Sequence, residues 1–417
     1  MKKCLVGFLA SLVVVACGGG GEKLPLKICN EKKSGEVYFG LLVPLTGSLS
    51  SYGMSMERGA LLAWTDVVDG GGIAGKKLGL IECDTATDPD QAAKVADELF
   101  SLNVMGVTVG PATSAESLTM IPKAKENQKV MISPSATSPS LTTIDDGGFF
   151  FRTAMSDSYQ GKLAAALAVR ENFKKVFVIH RDDAYGTGMK EVFSTSFTAS
   201  GGTVGSFQYK EEQANFAKDS IDAAASFGPD AIFLISFIDD GAAIINQAIS
   251  SNLNTKWLLP DGPKDPELIS KVTNTAYLEG IIGTAPAVPI GPDFELFSEK
   301  YKKSFNQEPV VFVSNMYDAV MLAAAAMLFA DNPVQGAAIK SALLEKTSSG
   351  VDIHPGQWNK LLEHASDGKI DYYGASGPVN FDQAGDVVSN LEEWSISNGK
   401  IVTKACWTPE IKPCTSP

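Results

Sequence analysis

Short hydroxyl and acidic side chains cluster where apolar runs end. Thr113-Ser114 comes just after Gly110-Pro111, which closes the run 104–109. Ser135-Ala136-Thr137 follows the run 130–133, and Pro260-Asp261-Gly262 follows 257–259. The spacing Thr113-x-x-Glu116 predicts a capping box opening a helix. The free N–H groups and positive dipole end of such a helix suit an anion. Ser135–Thr137 stands at the end of an expected strand, where open α/β sheets collect ligands. Each stretch also has an ordinary reading. Thr113 and Ser114 serve as caps, Ser135–Thr137 as a polar loop, and Asp261 as the turn residue of an x-P-D-G-x sequence. Nothing in the chain predicts catalysis. There is neither Gly-x-Ser-x-Gly nor His-x-x-Glu-His, and no nucleophile elbow or metal set is expected. His180, His354 and His364 are scattered without ligand spacing, and no Cys-x-x-Cys occurs, so neither metal nor cofactor is expected.

Elements that could position these groups follow from periodicity. Apolar runs at 37–43, 78–83, 104–109 and 130–133 predict strands. Between them, residues 60–68, 92–102 and the stretch from Thr113 carry helical spacing. Asp88-Pro89 is a helix start. The cycle repeats with helices at 156–173, 188–199, 216–227 and 241–252, and strands at 175–179, 203–207, 231–235 and 257–259. Such alternation implies an α/β fold with parallel sheets covered on both faces. The length, 417 residues, suits two domains. The C-terminal third offers helices at 293–305, 312–330, 334–345 and 356–365, then short strands at 378–381, 391–397 and 400–404. It is expected to complete both lobes without adding a third sheet. The apolar stretch 319–330 has 12 residues and reads as a buried helix, since a span needs ~20.

The N-terminus is a different kind of segment. Lys2 and Lys3 precede the apolar residues 4–16, a secretory signal by its layout. It ends in Val14-Val15-Ala16-Cys17, which resembles the lipobox of bacterial lipoproteins, and Gly18 to Gly21 follow. Cys17 is the expected lipidation site and new N-terminus. Residues 17–36 are expected to form a lipidated flexible tether, residues 18–36 reaching at most ~60–70 Å. Export leaves Cys29, Cys83, Cys406 and Cys414, which allow three pairings. Cys406 and Cys414 are close enough for a local staple, which would leave Cys29 for Cys83. The net charge of −13 argues against nucleic acid as a partner.

An ordered set of motifs adds a resemblance. Pro44-Leu45-Thr46-Gly47 with Tyr52-Gly53, Gly110-Pro111-Ala112-Thr113-Ser114 and Ser133-Pro134-Ser135-Ala136-Thr137 open it. Phe151-Arg152-Thr153, Asp157-Ser158-Tyr159-Gln160-Gly161, Asp182-Asp183-Ala184-Tyr185-Gly186, Tyr372-Tyr373-Gly374 and Phe381-Asp382 continue it. Across 37–404 the chain resembles the leucine/isoleucine/valine-binding family of periplasmic binding proteins. The resemblance implies a type I periplasmic-binding-protein fold: two Rossmann-like lobes joined by three hinge crossovers near 151–154, 283–285 and 374–378. It places lobe one at 37–152 plus 285–375 and lobe two at 153–284 plus 376–404. Residues 1–16 would be the signal and 405–417 a tail.

The same resemblance implies a small amino-acid-like ligand in the cleft, no catalysis, and the membrane permease of an ABC importer as partner. The membrane itself would be met only through the lipid anchor. Ser114 and Thr137 would bind the ligand carboxylate through hydroxyls and amides, the Ser135 carbonyl would take an ammonium proton, and Asp261 would face the α-amino group. Tyr52 and Phe237 would pack the ligand side chain, and Tyr185 would close from lobe two. The chain departs from the family in lacking a disulfide beside the cleft, where Thr87 and about Ala112 stand. It also has Asp where Glu is frequent and Phe237 where Tyr is frequent. A lipoprotein sensor or envelope-enzyme regulator of the same fold, and a binder of a non-amino-acid carboxylate or amide, stay open as alternatives.

Overall fold

The computed structural model describes residues 24–414. Cys17 and the signal segment lie outside the described residues. Six strands build the first sheet: β1 (Asn30–Lys33), β2 (Val37–Val43), β3 (Leu78–Asp84), β4 (Met105–Val109), β5 (Val130–Ser133) and β6 (Phe150–Arg152), in the order β1-β3-β2-β4-β5-β6. All pairs are parallel except the edge strand β1. Every residue of β2 and β4 is buried, because helices cover both faces.

Five strands follow: β7 (Lys175–Arg181), β8 (Thr203–Tyr209), β9 (Ala231–Ile235), β10 (Lys256–Leu259) and β11 (Ile282–Pro286). Later come β12 (Val351–Ile353), β13 (Ile370–Gly374), β14 (Gly377–Pro378), β15 (Leu391–Ser397) and β16 (Lys400–Trp407). The second sheet runs β16-β15-β11-β10-β9-β7-β8, with the β15–β16 hairpin antiparallel at its edge. The chain therefore leaves the first lobe after β6, returns to it through helices after β11, and crosses once more after β14. The fold is α/β with two lobes.

The return is made by helices. Helix Val313–Phe329 is buried on nearly every side, as expected of a helix apolar all round. It lies against helix Ser50–Asp69, where Gly59 permits the approach: a Cβ there would sit 2.8 Å from the Val313 carbonyl oxygen. The run 319–330 is thus interior packing. Among the described residues no helix is long and apolar enough to cross a membrane.

Four expectations need correction. A small third sheet, β12-β13-β14, does exist. The expected helix 356–365 is one short helix, Trp358–Glu363, followed by a 3-10 turn. Residues 24–36 are not free tether. Glu98 accepts from the N–H groups of Lys27, Ile28 and Cys29 at about 3.0 Å, β1 pairs with β3, and Cys29 is bonded to Cys83. The C-terminal stretch is likewise pinned. β16 extends to Trp407, and Cys406 is bonded to Cys414.

The crossovers are tied by buried charge. Arg152, wholly buried, donates through Nε and Nη2 to Asp386 at 2.6 and 2.8 Å. Its Nη1 donates to the Ala136 and Ser138 carbonyls. Asp318 receives Tyr372 Oη and the Ala375 N–H on one oxygen, and the Ser376 N–H and Oγ on the other.

Candidate functional site

Six parallel strands end at one place. The segments after β2, β4, β5, β7, β9 and β10 converge on a narrow cavity of about 40 Å³ between the two sheets. A water needs ~10–15 Å³ of such space, so the cavity is of small-molecule size. Tyr52, Ser114, Ser135, Thr137, Tyr185, Phe237 and Asp261 all line it, together with Leu49, Met56, Ala112, Thr113, Gly262 and Phe312. No Lys, Arg or His is among these lining residues.

The wall after β4 and β5 supplies donors. Thr113 caps helix Ser114–Asn127: its hydroxyl accepts from the Glu116 N–H at 3.2 Å, and Glu116 accepts from the Thr113 N–H at 3.0 Å. The predicted capping box is therefore present, and Thr113 is occupied by it. By position, the Ser114 and Ala115 N–H groups have no intrahelical acceptor. Ser114 Oγ accepts from the Ser138 N–H at 3.1 Å. Ser135 Oγ donates to the Ala112 carbonyl at 2.7 Å. Thr137 differs from the role that the resemblance implies. Its hydroxyl donates to Asp157 Oδ2 at 2.8 Å, so toward the cavity it offers lone pairs rather than a proton.

The opposite wall carries acid and aromatic rings. Asp261, almost wholly buried, accepts at Oδ1 from Gln160 Nε2 at 2.8 Å and Tyr185 Oη at 3.0 Å. Its carbonyl also closes a turn by accepting from the Lys264 N–H. The turn role and the cavity role thus coexist. Burial raises the Asp261 carboxyl above the usual aspartate range, and the Gln160 and Tyr185 donors offset part of that. Asp157 lies behind Thr137. Burial, then the charge of Asp261, pushes it well up. Its Oδ1 is buried with no hydrogen-bond partner among the described residues. Burial thus disfavours the charged form of both acids, and no Lys, Arg or His lines the cavity beside Asp261.

Aromatic groups complete the site. Tyr185 and Phe237 stack with centroids 5.8 Å apart, and the Arg181 guanidinium lies 4.1 Å over the Phe237 ring. Arg181 is itself held by Asp183, Glu211 and Asp240. Tyr52 Oη donates to the Gly262 carbonyl at 3.4 Å, a contact between the two lobes. Phe312 stands at φ 67°, ψ −5° just before helix Val313–Phe329. A bulky side chain in that left-handed region costs on the order of 1–3 kcal/mol.

Sequence reasoning missed Phe312 in the lining, and Asp157 and Gln160 behind it, bonded to Thr137 and Asp261. A signal existed for Asp157 and Gln160. Ser156 caps helix Asp157–Arg170, and residues three apart at a helix start share a face. Phe312 had none, since nothing in its neighbours forecasts a left-handed backbone.

Comparison with known proteins agrees with this geometry. The family model for periplasmic binding proteins matches residues 36–369. An amino acid binding protein of Pseudomonas aeruginosa is 28% identical over 298 residues, covering 70% of this chain and 78% of its own. The crystal structure of a leucine binding protein, LivK, from Thermotoga maritima superposes with a TM-score of 0.78 at 25% identity, covering 90% of this chain and 99% of the other. A solute binding protein of an ABC transporter from R. palustris, in complex with benzoate, shares the fold. Its TM-score is 0.72 at 21% identity, covering 88% of this chain and 95% of that one. With four-fifths of its length inside the family model and its cavity at the strand ends between two lobes, this chain belongs to the periplasmic binding protein family.

Proposed function

We propose that this protein is an extracytoplasmic substrate-binding lipoprotein of an ABC importer, and that it holds an α-amino acid with an aliphatic side chain. The observation that carries the reading is the pair Asp157–Asp261. A buried carboxyl oxygen without a donor, beside a second carboxyl, keeps Asp157 toward its protonated form until a cationic group arrives to stabilise the ionised one. Ser114 and Ala115, at the N-terminus of helix Ser114–Asn127, would receive the carboxylate. Leu49, Tyr52, Met56 and Phe237 would enclose the side chain. The lobes would close over the ligand by bending at the crossovers near 151–154, 283–285 and 374–378, with the lobe limits that the motifs imply. Cys17 would hold the protein at the membrane, and the importer's permease would receive the ligand. No chemistry is performed on it.

One observation favours a second reading. Asp261 Oδ1 already has two donors, Gln160 and Tyr185, and the R. palustris protein of this fold holds benzoate. A carboxylate without an amino group is the corresponding ligand class. Thermal denaturation with each of the twenty amino acids, small amides and small carboxylates separates the two. A native-state ligand at a hundredfold excess over Kd adds ~2.7 kcal/mol of apparent stability. A shift with aliphatic amino acids supports the first reading. Shifts only with compounds lacking an amino group would replace it by the second.

A further inference from the structure

One residue belongs to two cavities. Phe312 lines the cavity just described and also a second one of about 210 Å³, and no other described residue lines both. The second cavity is walled largely by apolar groups: Pro309, Val310 and Val311 just before Phe312, Val288 after β11, and Phe294. Its two charged lining residues are already matched, Lys264 by Glu392 and Glu308 by Lys302. Phe312 itself is 7% exposed. The residue after it packs against Gly59 with no room for a Cβ between them, which fixes the backbone from which the ring projects.

We infer that the Phe312 ring is the partition ending the ligand cavity, and that the space behind it is a latent subsite for the far end of a longer apolar side chain. This rests on the amino-acid reading of the first cavity. With the ring in place the cavity is closed to anything longer than a compact aliphatic chain. Without it, a space about five times larger becomes continuous with the site. Its apolar walls then suit an aromatic tail, which gains affinity by burying large area with few rotatable bonds.

Calorimetric titration of L-leucine, L-phenylalanine and L-tryptophan into wild type, Phe312→Ala, Phe312→Gly and Phe312→Leu tests the partition. Glycine accepts the left-handed backbone, so that variant removes the ring without strain. Leucine trims the ring and guards against loss of folding, which circular dichroism would report. The expected result is that wild type prefers leucine and that the preference moves toward the aromatic amino acids by at least ~10-fold in Phe312→Gly, with a smaller move in Phe312→Leu. Folded variants that keep the wild-type preference, or lose leucine without gaining an aromatic ligand, overturn the partition and leave the amino-acid reading intact. If wild type binds none of the three, the amino-acid reading fails by itself. Xenon-pressurised crystals of Phe312→Gly then decide the partition: one continuous string of xenon sites upholds it, and two separate sites or a collapsed cavity refute it.

Discussion

Asp318 and the pair Asp157–Asp261 are all buried acids, yet their surroundings differ in kind. Asp318, at the third crossover, has both oxygens filled by four donors from Tyr372, Ala375 and Ser376. Burial raises its pKa to about 6, the donors offsetting part of the effect, and at neutral pH its charge is fully accommodated. Asp157 receives one hydroxyl, lacks a partner on Oδ1, and sits beside another acid. A satisfied buried carboxylate fixes a fold; an unsatisfied one waits for something. On the proposed reading, that difference separates a structural acid from a recognising one better than burial alone.

The largest effect expected from breaking this contrast is on stability. Asp318→Asn turns an amide NH2 toward groups that are themselves donors, and should lower unfolding stability at neutral pH by at least ~3 kcal/mol. Urea unfolding measures it. A loss under ~1 kcal/mol would mean that the four donors do not need the carboxylate.

Asp261→Asn should act the other way round. Affinity for the best amino acid should fall at least ~10-fold, since charge-assisted hydrogen bonds are worth ~1.5–3 kcal/mol. Stability should stay nearly unchanged, because Asn keeps the turn preference. Equal affinity in the two proteins would reduce Asp261 to its turn role.

The smallest effect, and the one that sharpens the contrast most, concerns pH. Asp157 has a folded-state pKa raised above the ordinary ~3.9. Its stabilising contribution is complete below that value and is lost as pH rises through the raised one. An arriving ammonium favours the ionised form, so amino-acid affinity should increase with pH above ~4, by no more than ~10-fold per unit. Asp157→Asn should flatten that rise and slightly stabilise the ligand-free protein. A rise of equal slope in the mutant would assign the proton to another group.

Much of this was legible before folding. The helix start at Thr113 was readable because a capping box is a local device, and the polar stretches after strand-like runs marked the cavity because parallel strands end together. The run 319–330 was readable from length alone. Other features leave no local trace. β1 is Asn-Glu-Lys-Lys, a polar edge strand, and is held by pairing with β3 rather than by any alternation of its own. The strands β12 to β14 have two to five residues, too few for periodicity to register. That Asp157 Oδ1 lacks a donor is a fact about residues distant in sequence. Its partner Asp261 lies on another element, and the hydroxyl it accepts from belongs to Thr137.

The central claim is that the Asp157–Asp261 side of the cavity reads an amino group, and one titration addresses it most directly. Wild-type protein is titrated calorimetrically at pH 7 with L-leucine and with 4-methylpentanoate, which keeps the carboxylate and side chain but lacks the amine. The account predicts that leucine binds at least ~10-fold more tightly, a difference of ~1.4 kcal/mol or more. Equal affinity, or tighter binding of the acid, would contradict it.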